Sequence, residues 1–434
     1  MTYDEINEFF DNMEPFNPQA ARPGVLLFDL ENVTKLAGLL GNPQDSVPCI
    51  HITGTNGKGS VAAFISAILV SAGYKTGTFS SPYLKRRSEQ ILINSRELSE
   101  NEFASVAGDV IEKAVAFPKG SEPSEFEITT VAAFEDFRRN KCDIAVIEVG
   151  MGGEYDATNI ISSPLLAVFT KISKDHGQVL GDTVEEITKV KSGIIKAGTD
   201  AVTMQNPKEV TDILAAKCRA CGSALITANP PDNVRCAYKG TDFDYTYKND
   251  KHTFHLNSPG IFQAENAALA ITVVGKLLDK GFDITADAVR EGLSSVIREA
   301  RFEVLKMGFP IFIADGSHNP GAVAALAESL DRIFPDKEII FMAGVLADKD
   351  VSDMFDSLIK KAKIFHTVTP VSPRAMSAEE LARILESKGA KVKAHVSVGD
   401  AVAEIMAEAG PEDVVVAFGS FYYMGELREV VKKY

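Results

Sequence analysis

Short apolar runs separated by polar, turn-forming stretches recur along most of the chain, and their periods sort them into strands and helices. Pro48 to Thr53 is a compact apolar run that leads through a glycine-rich turn into a helical stretch from Val61 to Gly73. Lys75 to Phe79 follows as a strand. Ile144 to Val149 and Leu165 to Thr170 are short, apolar and rich in β-branched residues, as strands covered on both faces are. Two helix starts are marked by capping boxes, Ser99 with Glu102 and Thr183 with Glu186.

Between Arg235 and Leu256 the period changes. Phe243, Tyr245 and Tyr247, then Phe254 and Leu256, alternate on either side of Lys248-Asn249-Asp250-Lys251, which predicts an antiparallel hairpin. Helices are predicted from Gln263 to Leu278 and from Thr285 to Leu293. A second series opens near Arg301, with strands Ile311 to Ala314, Glu338 to Met342, Ile364 to Thr369 and Val414 to Ala417 between helical stretches. The alternation predicts an α/β protein built on parallel sheets. It places a first domain over residues 1–297 and a second over 298–434, with the boundary near Ile297 to Ala300.

Charge narrows the partners. The 45 basic residues are outnumbered by 60 acidic ones, a formal charge of -15, so a surface made for nucleic acid is excluded. An anionic ligand would need positive charge gathered locally. Met1 to Glu14 is acidic and lacks the apolar stretch of a secretion signal. Val61 to Ala72 is too short to span a bilayer. Five cysteines at irregular positions point to a reducing compartment, and the cytoplasm, with no membrane partner, is the expectation. Cys218-Arg219-Ala220-Cys221 has the spacing of half a zinc site, but no second pair follows, so these are expected to be free thiols.

The chemistry is concentrated at strand ends. Gly54-Thr55-Asn56-Gly57-Lys58-Gly59-Ser60 lies between a strand and a helix, the setting of a phosphate loop. Glycines let backbone N–H groups approach phosphate oxygens, the helix start adds its positive dipole end, and Lys58 adds a full charge. Ile52 and Gly59 stand where the strict pattern has Gly and Ser or Thr, so the loop is a variant. Glu148 closes a strand directly before Gly150-Met151-Gly152-Gly153, at the edge where a carboxylate can meet a nucleotide's Mg²⁺. Ser81 and the pair Asp175-His176 follow two further strands at the same edge. Lys191 lies on the helix capped by Thr183, where pattern alone predicts a solvated lysine.

Taken together these segments resemble the folylpolyglutamate and dihydrofolate synthases of the Mur ligase superfamily. The resemblance is carried by Leu40-Gly41-Asn42-Pro43-Gln44, His51 through Ser60, Ser81-Pro82-Tyr83-Leu84, Glu148 through Gly153 and Asp156-Ala157-Thr158-Asn159. It continues through Asp175-His176, Lys191-Ser192-Gly193, Asn266-Ala267-Ala268, Arg301-Phe302-Glu303, Asp315 through Pro320 and Gly419-Ser420. Such a protein would have an N-terminal P-loop ATPase domain and a C-terminal Rossmann-like domain, with the active site between them. It would join L-glutamate to a folate or to dihydropteroate at the expense of ATP, through an acyl phosphate, acting as a monomer.

The resemblance also implies residue roles. Lys58 and its loop would hold the phosphates, and Ser81, Glu148 and His176 would serve two Mg²⁺ sites. Lys191 would be carbamylated. Asn266, Arg301 and Asp315 would contact the nucleotide, and His318 and Ser420 the incoming glutamate. Glu154-Tyr155 stands where such enzymes have Arg and Leu or Phe, which reverses a charge near Glu148. The alternatives are a peptidoglycan Mur ligase, a P-loop kinase or ATPase that makes no amide, and a nucleotide-binding module without catalysis. Gly59 after the loop lysine, where Mur ligases usually have Thr, argues against the first.

Overall fold

The structure, a computed structural model, describes residues 1–13, 29–174, 177–308, 310–349 and 351–434. Contacts divide the chain into two units. Unit 1 comprises Met1–Pro231, Tyr245–His252 and Glu265–Ser294; unit 2 comprises Asp232–Asp244, Thr253–Ala264 and Ser295–Tyr434.

Unit 1 is built on strands β1 (Cys49–Thr53), β2 (Thr76–Phe79), β3 (Ile91–Ile93), β4 (Arg96–Glu97), β5 (Ile144–Glu148), β6 (Leu166–Phe169), β7 (Ala201–Thr203) and β8 (Leu225–Thr227). Their order in the sheet is β4-β3-β2-β5-β1-β6-β7-β8. All neighbours run parallel except at the β3 and β4 edge. Every residue of β1, β2, β5, β6 and β7 is buried, which is why β5 and β6 read as apolar runs without a polar alternation. Helices Glu100–Ala114 and Glu125–Arg139 pack Phe103, Phe134 and Phe137 with Phe79 and Ile147 of the sheet. Helices Val184–Ser192 and Lys208–Ala220 pack Ile187 and Leu214 with Ala167 and Phe169.

The helix after β1 begins at Lys58, one turn earlier than its apolar pattern predicts, and is buried on most sides. Gly292 lets the helix Ala286–Ser295 approach it, since a Cβ there would lie 2.5 Å from the backbone of Ile68. One helix among the described residues, Ile261–Leu278, is long and apolar enough to cross a membrane, and most of it is buried within the protein. Both predicted capping boxes form, and two more appear at Thr2 with Glu5 and Ser124 with Glu127.

The predicted hairpin is three-stranded: β9 (Asp232–Ala237), β10 (Gly240–Tyr247) and β11 (Asp250–Leu256), in the order β11-β10-β9. β9 escapes the pattern because it is a largely exposed edge without large apolar side chains. Lys248 and Asn249 both have positive φ (51° and 68°), the geometry of a tight two-residue hairpin turn.

Unit 2 carries β12 (Glu303–Lys306), β13 (Ile311–Ala314), β14 (Ile339–Ala343), β15 (Ala362–Thr367), β16 (Val392–Ala394) and β17 (Val414–Phe418). Their order is β12-β13-β17-β14-β15-β16, parallel except for β12. Phe341 and Phe365 stack at 5.1 Å, and Phe355 and Phe418 pack against them. The buried Tyr423 hydroxyl donates to the carbonyls of Phe418 (2.6 Å) and Met342 (3.2 Å), which ties the ends of β17 and β14 together.

Candidate active site

The loop after β1 is shaped by contacts that forbid side chains. Gly54 has φ 151°, and a Cβ there would collide with the Thr170 hydroxyl. Gly57 has φ 92°, and a Cβ would sit 2.5 Å from Asn266 Oδ1. Only glycine combines that backbone with that approach. Thr53 Oγ1 donates to the carbonyl of Gly152 at 2.6 Å. The N–H groups of Thr55 and Asn56 donate to the carbonyl of Lys171 at 2.8 and 3.3 Å, so they hold the loop in place. The donors aimed at an anion are therefore those that open the helix Lys58–Ser71, whose N-cap Gly57 supplies no side-chain cap. Lys58 is half-buried beside them, and Gly59 and Ser60 are buried in the first turn.

Neighbouring strands bring further groups to this edge. Glu148 ends β5, in register with Ile52 of β1, and is buried; its Oε2 accepts from the Ser81 N–H at 3.3 Å. The glycines that follow make room for other elements. A Cβ at Gly150 would lie 2.5 Å from the Phe126 ring, and one at Gly153 would lie 2.8 Å from the carbonyl of Lys191. The helix Val184–Ser192 consequently settles onto this segment and buries Lys191, whose Nζ donates to the Gly54 carbonyl at 2.9 Å. Lys191 is thus not the solvated lysine that pattern alone predicts. Asp175 and His176 lie outside the described residues.

Beneath Gly150–Gly153 runs a buried relay. Asp156 accepts from the N–H groups of Met151 (2.8 Å) and Thr158 (3.1 Å) and from Thr158 Oγ1 (2.5 Å), and Thr158 Oγ1 is 2.8 Å from His51 Nε2. Burial raises the pKa of Asp156 against these hydrogen bonds. Burial, with the charge of Lys196 adding to it, pulls His51 down to about 3, so the ring is neutral.

The donor set suits a hard cation. Glu148 and Ser81 offer oxygens at the phosphate edge. Among the described residues no three His, Cys, Asp or Glu side chains converge as a protein-made metal cage. Mg²⁺ bound with a nucleotide needs only one or two carboxylates, the rest of its shell being phosphate and water. The residues present fit that mode.

In unit 2 the edge formed by β13 and β17 is closed by side chains. Asp315 Oδ2 accepts from the Phe302 N–H at 2.7 Å, while Oδ1 accepts from the Ser317 N–H at 2.9 Å and from the Ser317 hydroxyl. Burial raises the pKa of Asp315, opposed by Ser317 and then by the charge of Arg301. Ala300 and Phe302 carry positive φ (51° and 49°), a strained bend that the Asp315 bond and the Gly316 N–H to Ala300 carbonyl bond (2.7 Å) hold in place. Between them Arg301 lies with its guanidinium 4.3 Å from the centre of the Phe421 ring. His318 meets the same ring edge-on at 6.2 Å, and its Nδ1 is 2.8 Å from the carbonyl of Gly316, which places a proton on Nδ1. Ser420 is buried, and its Oγ accepts from the Tyr422 N–H at 3.2 Å to cap the turn Phe421–Tyr423.

The structure groups Lys58, Ser81, Glu148, Lys191 and Asn266 in unit 1, and Arg301, Asp315, His318 and Ser420 in unit 2. Sequence reasoning passes over Phe421, the shared ring partner of Arg301 and His318, and over Thr170 and Lys171, which back the phosphate loop. Phe421 could have been suspected from its place next to Ser420. Nothing in the sequence marks Lys171, which acts through its carbonyl.

Comparison with known proteins adds to this picture. Residues 52–274 match the Mur ligase middle domain, and residues 300–421 match the Mur ligase glutamate ligase domain. A dihydrofolate synthase/folylpolyglutamate synthase of Bacillus subtilis is 31% identical over 93% of this chain and 95% of its own length. The structure of Mycobacterium tuberculosis folylpolyglutamate synthase complexed with ADP is similar with a TM-score of 0.90 and 28% identity, over 99% of this chain and 98% of that one. An Escherichia coli protein solved in complex with DHPP and ADP is similar with a TM-score of 0.84 and 27% identity, over 100% and 98% of the two chains.

Proposed function

The chain belongs to the Mur ligase family, among its folylpolyglutamate and dihydrofolate synthases, and on that premise we propose how its residues divide the work. It is an ATP-dependent ligase that adds L-glutamate to folates. In our proposal residues 1–297 serve as the ATP-binding domain and residues 298–434 as the glutamate-ligase domain, in a monomer that works in the cytoplasm. Five free thiols suit that reducing compartment.

The γ-carboxylate of a folate glutamyl tail, or the carboxyl of dihydropteroate, attacks the γ-phosphorus of ATP; ADP leaves and an acyl phosphate remains. The amine of glutamate then attacks the acyl carbon, the bond to phosphate breaks, and amide, phosphate and a proton are the products. Lys58 and the uncapped start of its helix neutralise the phosphoryl charge. Ser81, Glu148 and His176 would hold Mg²⁺ in two sites, and the bound ion offsets charge on the phosphate oxygens. Loss of one proton from the Lys191 ammonium, addition of CO₂ to the resulting amine and loss of a second proton would turn a buried cation beside Gly54 into a carboxylate. Asn266 and Arg301 serve the nucleotide, with Asp315 acting through the bend that carries Arg301. His318 and Ser420 serve the incoming glutamate.

The observation that carries this reading is the glycine-shaped loop at Lys58, flanked on adjoining elements by buried Glu148 and by buried Lys191 with its amine on the Gly54 carbonyl. The test is an assay with ATP, Mg²⁺ and radiolabelled glutamate, offered dihydropteroate or tetrahydrofolate in parallel. Label should enter the folate with one ADP formed per amide. ATP hydrolysis independent of glutamate and acceptor would reject the ligase reading, and the acceptor preferred tells whether the first or a later glutamate is added.

A further inference from the structure

We propose that Asn206 is a positioning residue for the phosphate loop, acting through the backbone of residues 170–173. β6 and β7 pair in parallel as far as Phe169 and Thr203, and there the ladder ends. The chain beyond β6 nevertheless runs on to meet the phosphate loop. The Asn206 amide continues the missing strand: its Oδ1 accepts from the Ile172 N–H at 2.9 Å, and its Nδ2 donates to the Thr170 carbonyl at 3.1 Å. One acceptor and one donor, presented to the same backbone two residues apart, are what the C=O and N–H of one residue in a neighbouring parallel strand would offer. Nδ2 also lies 3.2 Å from Thr203 Oγ1 and 3.4 Å from the Met204 carbonyl, which pins the amide to the end of β7.

The far side of the same segment holds the loop. The Lys171 carbonyl accepts from the N–H groups of Thr55 and Asn56. Thr55 Oγ1 donates to the Ser173 carbonyl at 2.9 Å and accepts from the Ser173 N–H at 3.1 Å. Thr170 fills the space that a side chain at Gly54 would need. Asn206, residues 170–173 and residues 54–56 therefore form three hydrogen-bonded layers, and the outermost is a single side chain. Pro207, extended at φ -53° and ψ 154°, starts the helix Lys208–Ala220 directly behind it. Without the amide, the Ile172 N–H and the Thr170 carbonyl lose their partners, and the support behind Thr55 and Asn56 loosens.

This inference rests on reading Gly54–Ser60 as the nucleotide loop. Calorimetric titration of Mg·ADP into the full-length wild type and the variants Asn206→Ala, Asn206→Asp and Gln205→Ala tests it, with steady-state kinetics in which ATP and glutamate are varied separately. Asn206→Ala should weaken ADP binding about tenfold and raise KM for ATP alike, with KM for glutamate within about twofold of wild type. Asn206→Asp keeps the acceptor for Ile172 but sets a carboxylate oxygen against the Thr170 carbonyl, so it should weaken ADP binding at least as much as alanine. Gln205→Ala, whose side chain among the described residues reaches only the Ala228 carbonyl at 3.1 Å, should match wild type. A folded Asn206→Ala or Asn206→Asp protein with wild-type ADP affinity overturns the inference, as does an equal rise in KM for both substrates. If the alanine variant does not fold, the aspartate variant decides by the same criterion; failure of both to fold makes Asn206 a stability element and overturns the inference too. Absence of ADP binding by the wild type is a separate result, and rejects the nucleotide loop itself.

Discussion

The carboxyl edges of the two parallel sheets are made in different ways. At the end of β1, backbone does the shaping: Gly54 and Gly57 take positive φ because Thr170 and Asn266 occupy the space of a side chain, and the helix that follows has no side-chain cap. At the ends of β13 and β17, side chains close on one another: Asp315 on Phe302 and Ser317, Ser420 on Tyr422, Tyr423 on Phe418 and Met342. A loop that admits a polyanion must leave N–H donors uncommitted, and glycine does that without adding side chains. A loop that presents Arg301 and His318 against one Phe421 ring needs a rigid frame, and buried hydrogen bonds supply it. Function and stability should therefore separate in unit 1 and fall together in unit 2.

Lys58→Ala should break the comparison most sharply. Loss of one preorganised charge donor should cost on the order of a hundredfold or more in ligase rate. Thermal unfolding without ligand should be nearly unchanged, because Lys58 is half-buried at the helix start rather than part of the core. Near-normal turnover would remove the phosphate-loop assignment. Lys191→Ala should be almost as inactive, and added acetate should restore part of the rate while methylammonium should not. That contrast separates a lost carboxylate from a lost cation, and a fully active variant would refute the carbamate.

Asp315→Ala tests the other side. It strands the Phe302 N–H and the Ser317 N–H in a buried site, so a stability loss of about 3 kcal/mol should accompany the loss of activity, read by denaturant unfolding. Inactivity at full stability would make Asp315 a direct ligand contact rather than a frame.

The smallest effects are in pH. In unit 2, His366 Nδ1 lies 2.8 Å from His395 Nε2, with Lys393, Glu404, Glu408 and Asp400 around the pair. Burial, then the neighbouring ring, lowers His366 from 6.5 to about 4. The folded state thus prefers the neutral ring, so this contribution is present above pH 6.5 and is lost as pH falls towards 4. In unit 1, burial and then the charge of Glu102 raise Asp136 from 3.8 to about 6, opposed by Arg139, Lys75 and Asn140. Here the folded state prefers the protonated acid, so stability is lost as pH rises through about 6. Melting temperatures from pH 4.5 to 7.5 should show His366→Gln flattening the acid side and Asp136→Asn gaining on wild type as pH rises. Parallel curves for wild type and variants would show that neither group titrates differently on folding.

Much of this was legible in the chain itself. The strands β5, β6, β13, β14 and β17 announce themselves because strands buried on both faces are apolar runs without a polar alternation. Two helix starts are legible because a capping box is a local bargain between residues three apart. Lys58 and Glu148 stand out because strand, glycines and charge are contiguous there. The strands β3, β4, β7, β8, β12 and β16 are too short or too mixed to show a period, and the exposed edge β9 lacks the large apolar side chains that would mark one. What tertiary structure alone decided is what depends on distant neighbours. Lys191 is buried because Gly153 lets its helix approach, 38 residues earlier in the chain. Gly57 must be glycine because Asn266 comes against it from a helix 209 residues later. Asn206 and Lys171 support the phosphate loop through an amide and a carbonyl that any turn could contain. Local pattern reports which face of an element is dry; only the packed chain reports which groups, remote in sequence, share the space behind it.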